Sequence, residues 1–142
     1  MSLLVIDASV AMKWSFNDDP LVQEAASLLD RYGRREIHFF VPDLFWAESG
    51  NMLWKAVSRG RCTPEHAERS MAALKQLALS TAASQGLVEQ ALKIASDFNR
   101  TVYDSIYIAL AVEVRAELIT ADEKLANAVA AYFPVKWLGA WT

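Results

Sequence analysis

Histidine and cysteine are scarce in this 142-residue chain, which has only His38, His66 and a lone Cys62. One cysteine excludes an intramolecular disulfide framework and any zinc site built on thiolates, and two histidines exclude a His-rich metal centre. Glycine (5) and proline (4) are too few for linkers, and no repeat or low-complexity tract interrupts the chain. A basic leader is missing as well. The first apolar run, Leu3-Leu4-Val5-Ile6, stops at Asp7, short of the roughly 7–15 residues of a signal peptide core. No stretch approaches the roughly 18 apolar residues of a membrane span. Basic charge is also in short supply, since Lys+Arg 14 against Asp+Glu 17 leaves a net charge of −3. That balance argues against gripping nucleic acid by charge alone. It leaves open a protein that reaches phosphates through bound cations, because a divalent ion held by carboxylates inverts the local sign. A cytoplasmic protein with no membrane segment is expected, its chemistry running on carboxylates, hydroxyls or backbone.

What is present describes one folded unit. Hydrophobic residues make up 54% and charged residues 22%, which excludes disorder, and the length predicts a single domain over 1–142. The five tryptophans, Trp14, Trp46, Trp54, Trp137 and Trp141, are many for one small core, so some of that surface is available to a partner or a second copy.

The continuous apolar run Leu3–Ile6 suits a central parallel strand buried on both faces. Asp18-Asp19-Pro20 signals a helix start, followed by Leu21, Val22, Ala25, Leu28, Leu29 and Tyr32 at helical spacing, with Gly33 as the stop. Ile37–Val41 reads as a second strand. Pro42-Asp43 then opens a helix to about Arg59, and Thr63-Pro64-Glu65 opens another to about Leu77. Leu77–Thr81 fits either a short strand or a helix end. Leu87–Phe98 and Tyr103–Arg115 read as helices, Glu117–Thr120 as a strand, Asp122–Tyr132 as a helix and Val135–Leu138 as a last strand. Strands alternating with helices define an α/β fold with a parallel sheet covered on both faces.

Four acids are singled out by position. Asp7 and Asp122 follow strands, and ligands of open parallel sheets bind just past the carboxyl ends of strands. Glu48 lies in a helix among apolar neighbours, and Asp104 opens a helix in apolar surroundings. Carboxylates gathered at one end of a sheet stay ionised only with cations, and hard divalent ions prefer such oxygen ligands. Simpler readings stand beside this one. Asp104 and Asp122 are placed as helix caps or dipole partners, and Glu48 alone reads as a solvated helix residue. Asp7 resists a simple reading, because an unpaired charge against a buried strand is costly. Asp18, Asp19, Asp30, Glu65 and Glu68 have ordinary turn or helix-face explanations.

The segments Val5-Ile6-Asp7-Ala8-Ser9-Val10, Val41-Pro42-Asp43-Leu44 leading to Glu48, Tyr103-Asp104-Ser105-Ile106-Tyr107-Ile108-Ala109-Leu110-Ala111 and Leu118-Ile119-Thr120-Ala121-Asp122 resemble, in order and over essentially the whole chain, the signatures of a PIN domain. More narrowly they are similar to the VapC-type ribonuclease toxins of toxin–antitoxin pairs. The resemblance implies a three-layer α/β/α fold on a parallel sheet of four or five strands in the order 3-2-1-4-5. It implies that Asp7, Glu48, Asp104 and Asp122 are the catalytic and metal-holding acids for one or two Mg²⁺ or Mn²⁺ ions. Ser9 and Thr120, and more remotely Asn51, are then expected to orient a carboxylate or water. Some relatives carry a further acid a few residues after the fourth. Here Lys124 and Leu125 occupy that region and Glu123 would point elsewhere on a helix, so a second ion stays open.

On this reading the reaction is metal-dependent hydrolysis of RNA phosphodiesters, with DNA not separated from RNA. The implied partners are a cognate antitoxin and a second copy of the chain. The aromatic helix bearing Phe45, Trp46, Leu53 and Trp54 is expected to pack on the core and to offer an antitoxin groove or a dimer face. Arg31, Arg34 and Arg35, and Lys55, Arg59 and Arg61, read as ordinary helix-end charges, with phosphate or antitoxin contact as the alternative. His38 is expected on a strand and His66 near a helix start, neither in a motif. Two rivals remain: a phosphotransferase or receiver-type domain with Asp7 as nucleophile, disfavoured by Ser9 where a second acid is wanted, and a non-catalytic binding module of the same fold.

Overall fold

The computed structural model describes residues 1–141. The chain alternates strands and helices: β1 (Ser2–Ile6), α1 (Ala8–Ser15), α2 (Val22–Gly33), β2 (Ile37–Pro42), α3 (Leu44–Ser58), α4 (Pro64–Gln76), β3 (Ser80–Ala82), α5 (Val88–Phe98), α6 (Val102–Val114), β4 (Glu117–Thr120), α7 (Glu123–Val129) and β5 (Val135–Trp137). The five strands form one parallel sheet in the order β3-β2-β1-β4-β5. Right-handed crossovers run the chain first toward β3 and then back toward β5, so α1–α4 and α5–α7 cover opposite faces in three layers.

Central position explains the unbroken apolar run of β1. Val5 pairs with Phe40 on one side and Leu118 on the other, and Val5 and Ile6 are wholly buried. α6 is the buried helix of the opposite layer. Its residues Ser105 to Ala111 are all buried, so its middle is apolar around the circumference, and its two acids stand near the ends, Asp104 at the N-terminal rim and Glu113 exposed in the last turn. Thr101, not Asp104, caps that helix by accepting the Asp104 N–H at 3.0 Å. Among the described residues no helix is long and apolar enough to cross a membrane.

Several expected boundaries shift for physical reasons. α1 has no counterpart in the sequence reading, because Ala8, Val10, Ala11 and Met12 are all buried and leave little apolar–polar contrast. α2 begins at Val22 rather than at the Asp18-Asp19-Pro20 signal. Leu21 sits at φ 66° in the left-handed region, and Asp19 is engaged in ion pairs instead of capping. The short strand lies at Ser80–Ala82, so Leu77 ends α4. α7 stops at Val129, short of Tyr132, and β5 stops at Trp137. His38 lies on β2 beside Ser80 Oγ, and His66 in the first turn of α4, where its Nε2 donates to the Ser15 carbonyl at 2.9 Å.

Candidate active site

The carboxyl ends of β1 and β4, where strand order reverses, open onto a cleft of about 250 Å³. Asp7, Glu48, Asp104 and Asp122 all line it, each delivered by a different element. Ser9, Asn51, Met52, Lys55 and Tyr107 complete most of the wall.

Asp7 ends β1 and caps α1. Its Oδ1 accepts the N–H of Ser9 at 3.1 Å and of Val10 at 3.4 Å, together with the Ser9 hydroxyl. Capping α1 in this way also turns the carboxylate into the cleft wall. Thr120, fully buried, gives Asp7 a further hydroxyl bond and accepts the Asp122 N–H at 3.1 Å. Ser9 Oγ accepts the Ala121 N–H at 3.1 Å. Both hydroxyls thus stitch the first acid to the loop bearing the fourth. Asp122 in turn caps α7, Oδ1 accepting the Leu125 N–H at 3.1 Å.

Glu48 stands half-buried on α3, with Oε1 accepting the Tyr107 hydroxyl at 2.7 Å. Glu48, Asn51, Met52 and Lys55 follow one another at helical spacing on the cleft side of α3. Tyr107 was not anticipated. Its only signal is its place three residues after Asp104, on the same side of α6. Lys55, read from sequence as a helix-end charge, is in fact a cation at the edge of the acidic cleft.

Burial and mutual repulsion push the acids toward protonation. Burial raises the Asp7 carboxyl from its ordinary 3.8 to about 6, against the lowering action of Ser9, Thr120 and the Val10 N–H, and the nearby Asp104 raises it further. Burial and then the Asp122 charge raise Asp104, which Arg100 and Thr101 partly offset. Glu48 is raised by burial and by Asp104, with the Tyr107 bond opposing. Tyr107 is itself pushed upward by burial and by Glu48, so it remains a hydroxyl donor at every physiological pH. Asp104 is the hub, electrically coupled to each of the other three acids.

The donor set suits a hard cation, since four carboxylates, the Ser9 and Tyr107 hydroxyls and the Asn51 amide supply mostly oxygen. Among the described residues no three acidic, histidine or cysteine side chains converge on one metal position. The fit is to an ion taking one or two carboxylates and keeping several waters, the habit of Mg²⁺, rather than to a closed protein cage.

A parallel sheet in this order, with four acids lining the cleft at its switch point, defines a small three-layer α/β fold with an acidic cleft. The sequence profile of the PIN domain matches residues 4–130, and the chain belongs to that family. Among curated proteins it is similar to Ribonuclease VapC9 of Mycobacterium tuberculosis, 29% identical over 133 residues and covering 94% of this chain and 96% of that protein. Among solved structures it resembles VapC20 of M. tuberculosis, described as a sarcin-ricin loop cleaving toxin, with TM-score 0.67, 13% identity and coverage of 92% and 95% of the two chains. It also resembles a chain of a toxin–antitoxin complex from Klebsiella pneumoniae, with TM-score 0.65, 18% identity and coverage of 94% and 95%.

The bond between Tyr107 and Glu48 yields a direct test. Tyr107→Phe leaves the carboxylate without its donor and is expected to lower stability by about 1–2 kcal/mol in urea unfolding at neutral pH. An unchanged midpoint would show that solvent replaces the hydroxyl without cost.

Proposed function

We propose that this protein is a metal-dependent endoribonuclease, the toxin of a toxin–antitoxin pair, with Asp7, Glu48, Asp104 and Asp122 as its catalytic acids. The observation that carries the reading is the convergence of these four side chains, from four elements, on one cleft at the sheet's switch point. The ribonuclease name of a relative similar over nearly the whole of both chains supports it.

Bound Mg²⁺ or Mn²⁺, one ion or two, would supply a water acidic enough to give hydroxide near neutral pH and would neutralise charge on the scissile phosphate. The chain's own residues do the rest. Asp7 and Asp104 provide the densest negative charge and the first grip on a cation. Ser9 and Thr120 fix the Asp7 carboxylate, and through backbone N–H groups they fix the loop that carries Asp122. Tyr107 holds Glu48 from the core side. Asn51, one turn beyond Glu48, lines the same cleft and would orient water there. Water would attack phosphorus in line with the 3′ oxygen, steered by Asp104 or Asp122 and releasing a proton to solvent, as the bond from phosphorus to the 3′ oxygen breaks and that oxygen leaves as a hydroxyl protonated from solvent.

The antitoxin is expected on the outer side of α3 and α4. Phe45 and Leu53 belong to the core, 0% and 2% exposed, so they do not form the groove. Trp54 is 63% exposed, and Trp46 borders a shallow groove with Met71, Lys75, Ala78 and Leu79. The similarity to a chain of a toxin–antitoxin complex supports such a partner. A homodimer is part of the same reading, checked by light scattering at twice the chain mass.

The deciding experiment titrates Mg²⁺ and Mn²⁺ against single-stranded and structured RNA, with matching DNA alongside. Cleavage of RNA that appears with metal and stops with chelator is expected. No cleavage of any RNA at millimolar metal would sink the assignment and favour a binding module.

A further inference from the structure

Beside the acidic cleft lies a second one of about 220 Å³, whose lining includes Ser9, Lys13, Asp19, Met52, Arg61 and Asp122. Ser9, Met52 and Asp122 belong to both, so the two clefts share a wall. The first is walled by acids. The second carries two cations on one side, Lys13 of α1 and Arg61 of the α3–α4 turn.

Both cations pair with the Asp19 carboxylate, and Arg61 Nη2 also lies 3.5 Å from the exposed Asp18 Oδ1. Asp19, in the turn before α2, gives Oδ1 to Arg61 Nη2 at 2.7 Å and Oδ2 to Lys13 Nζ at 3.6 Å. Lys13 and Asp19 side chains are only 15% and 19% exposed, so this pairing is partly shielded from water. The Arg61 guanidinium also lies over the Phe16 ring, 4.6 Å from its centroid, which fixes the plane it presents. A phosphodiester has the same recognition chemistry as this carboxylate: one negative charge over two free oxygens, suited to a guanidinium edge and an ammonium.

We propose that Asp19 is an internal stand-in for a backbone phosphate, and that Lys13 and Arg61 form a subsite for the RNA phosphodiester flanking the one at the carboxylates. The proposal rests on the ribonuclease reading and assigns the strand's path across that site. Substrate displaces Asp19, whose turn is tethered by these contacts, and the cations then hold the strand with the next phosphate over the acids. This gives an acidic cleft two cations on the wall it shares with its neighbour, a means of holding a polyanion. Lys13 and Arg61 position substrate and touch no reacting atom.

The test compares KM and kcat on one short single-stranded RNA with Mg²⁺ for the wild type, Arg61→Gln, Lys13→Gln, Asp19→Asn and a distant charge control, Arg34→Gln, with melting temperatures for all. Arg61→Gln and Lys13→Gln are expected to raise KM about tenfold with kcat nearly unchanged, each flattening the log–log salt slope by about 0.7. Asp19→Asn is expected to lower KM about threefold, and Arg34→Gln to leave it unchanged. If Asp19→Asn instead raises KM together with Arg61→Gln, and both melt earlier, the contact is a structural latch and the subsite is overturned. Unaltered KM in an active enzyme also overturns it, including where the variants lose only a protein partner. A wild type that cleaves no RNA overturns both this and the underlying function, so the two failures are told apart.

Discussion

Asp7→Asn and Asp104→Asn are each expected to cut RNA cleavage about a thousandfold, equivalent to about 4 kcal/mol in the barrier, with the fold intact. The size follows from position. Asp7 is buried at the strand end and fixed by two backbone N–H groups and two hydroxyls, so no neighbouring carboxylate can replace it. Asp104 is electrically coupled to the other three acids, so removing its charge weakens the cation field of all of them. The loss belongs in kcat, and raising the metal concentration should recover part of it in Asp104→Asn, where an exposed approach remains. Ser9→Ala removes only an orienting hydroxyl and is expected to cost about tenfold. Single-turnover cleavage of a labelled RNA measures all three. Equal rates for wild type and Asp7→Asn would place the activity elsewhere.

The parts of this molecule legible in the sequence are those where one physical demand dominates. β1 could be placed because a strand buried on both faces must be apolar without interruption, and Asp7 stood out because it breaks that run. The α/β class followed from alternation, and strand order and the four acids as a set followed from family resemblance. What stayed hidden depends on contacts between distant segments. α1 is buried on too many sides for its helical period to show. Asp19, read as part of a helix-start signal with an ordinary turn role, is an ion-pair partner for Lys13 and for Arg61, 42 residues away. Tyr107 is one aromatic in an apolar helix until α3 brings Glu48 to its hydroxyl. The cap reading for Asp122 was no rival to a place in the cleft, because its side chain caps α7 with one oxygen while lining the cleft, and Asp7, for which no cap was read, does the same at α1; the cap read for Asp104 falls instead to Thr101.

That double duty has a thermodynamic consequence, and it makes Asp7→Asn stabilising when metal is withheld. The Asp7 carboxyl sits at about 6 in the folded chain against an ordinary 3.8. For an acid raised on folding, the unfolded chain releases its proton first. The fold therefore pays nothing below pH 4, loses stability as pH climbs from 4 to 6, and carries the whole penalty above that. At about 1.4 kcal/mol per pH unit the penalty is about 2–3 kcal/mol. Asparagine keeps the cap, since its side-chain oxygen accepts the Ser9 and Val10 N–H groups, and Thr120 has lone pairs for its amide. In chelator at pH 7.5, Asp7→Asn is expected to melt several degrees above the wild type, with the gap closing by pH 4. Saturating Mg²⁺ should narrow or reverse it, because a cation binds the ionised wild type better and stabilises it by mass action. Calorimetry across that pH range, with and without metal, reads all of these. A variant that melts below the wild type in chelator at pH 7.5 would mean that Ser9, Thr120 and the helix amides hold the Asp7 charge more strongly than burial opposes it, and the cleft would then need no cation to remain ionised.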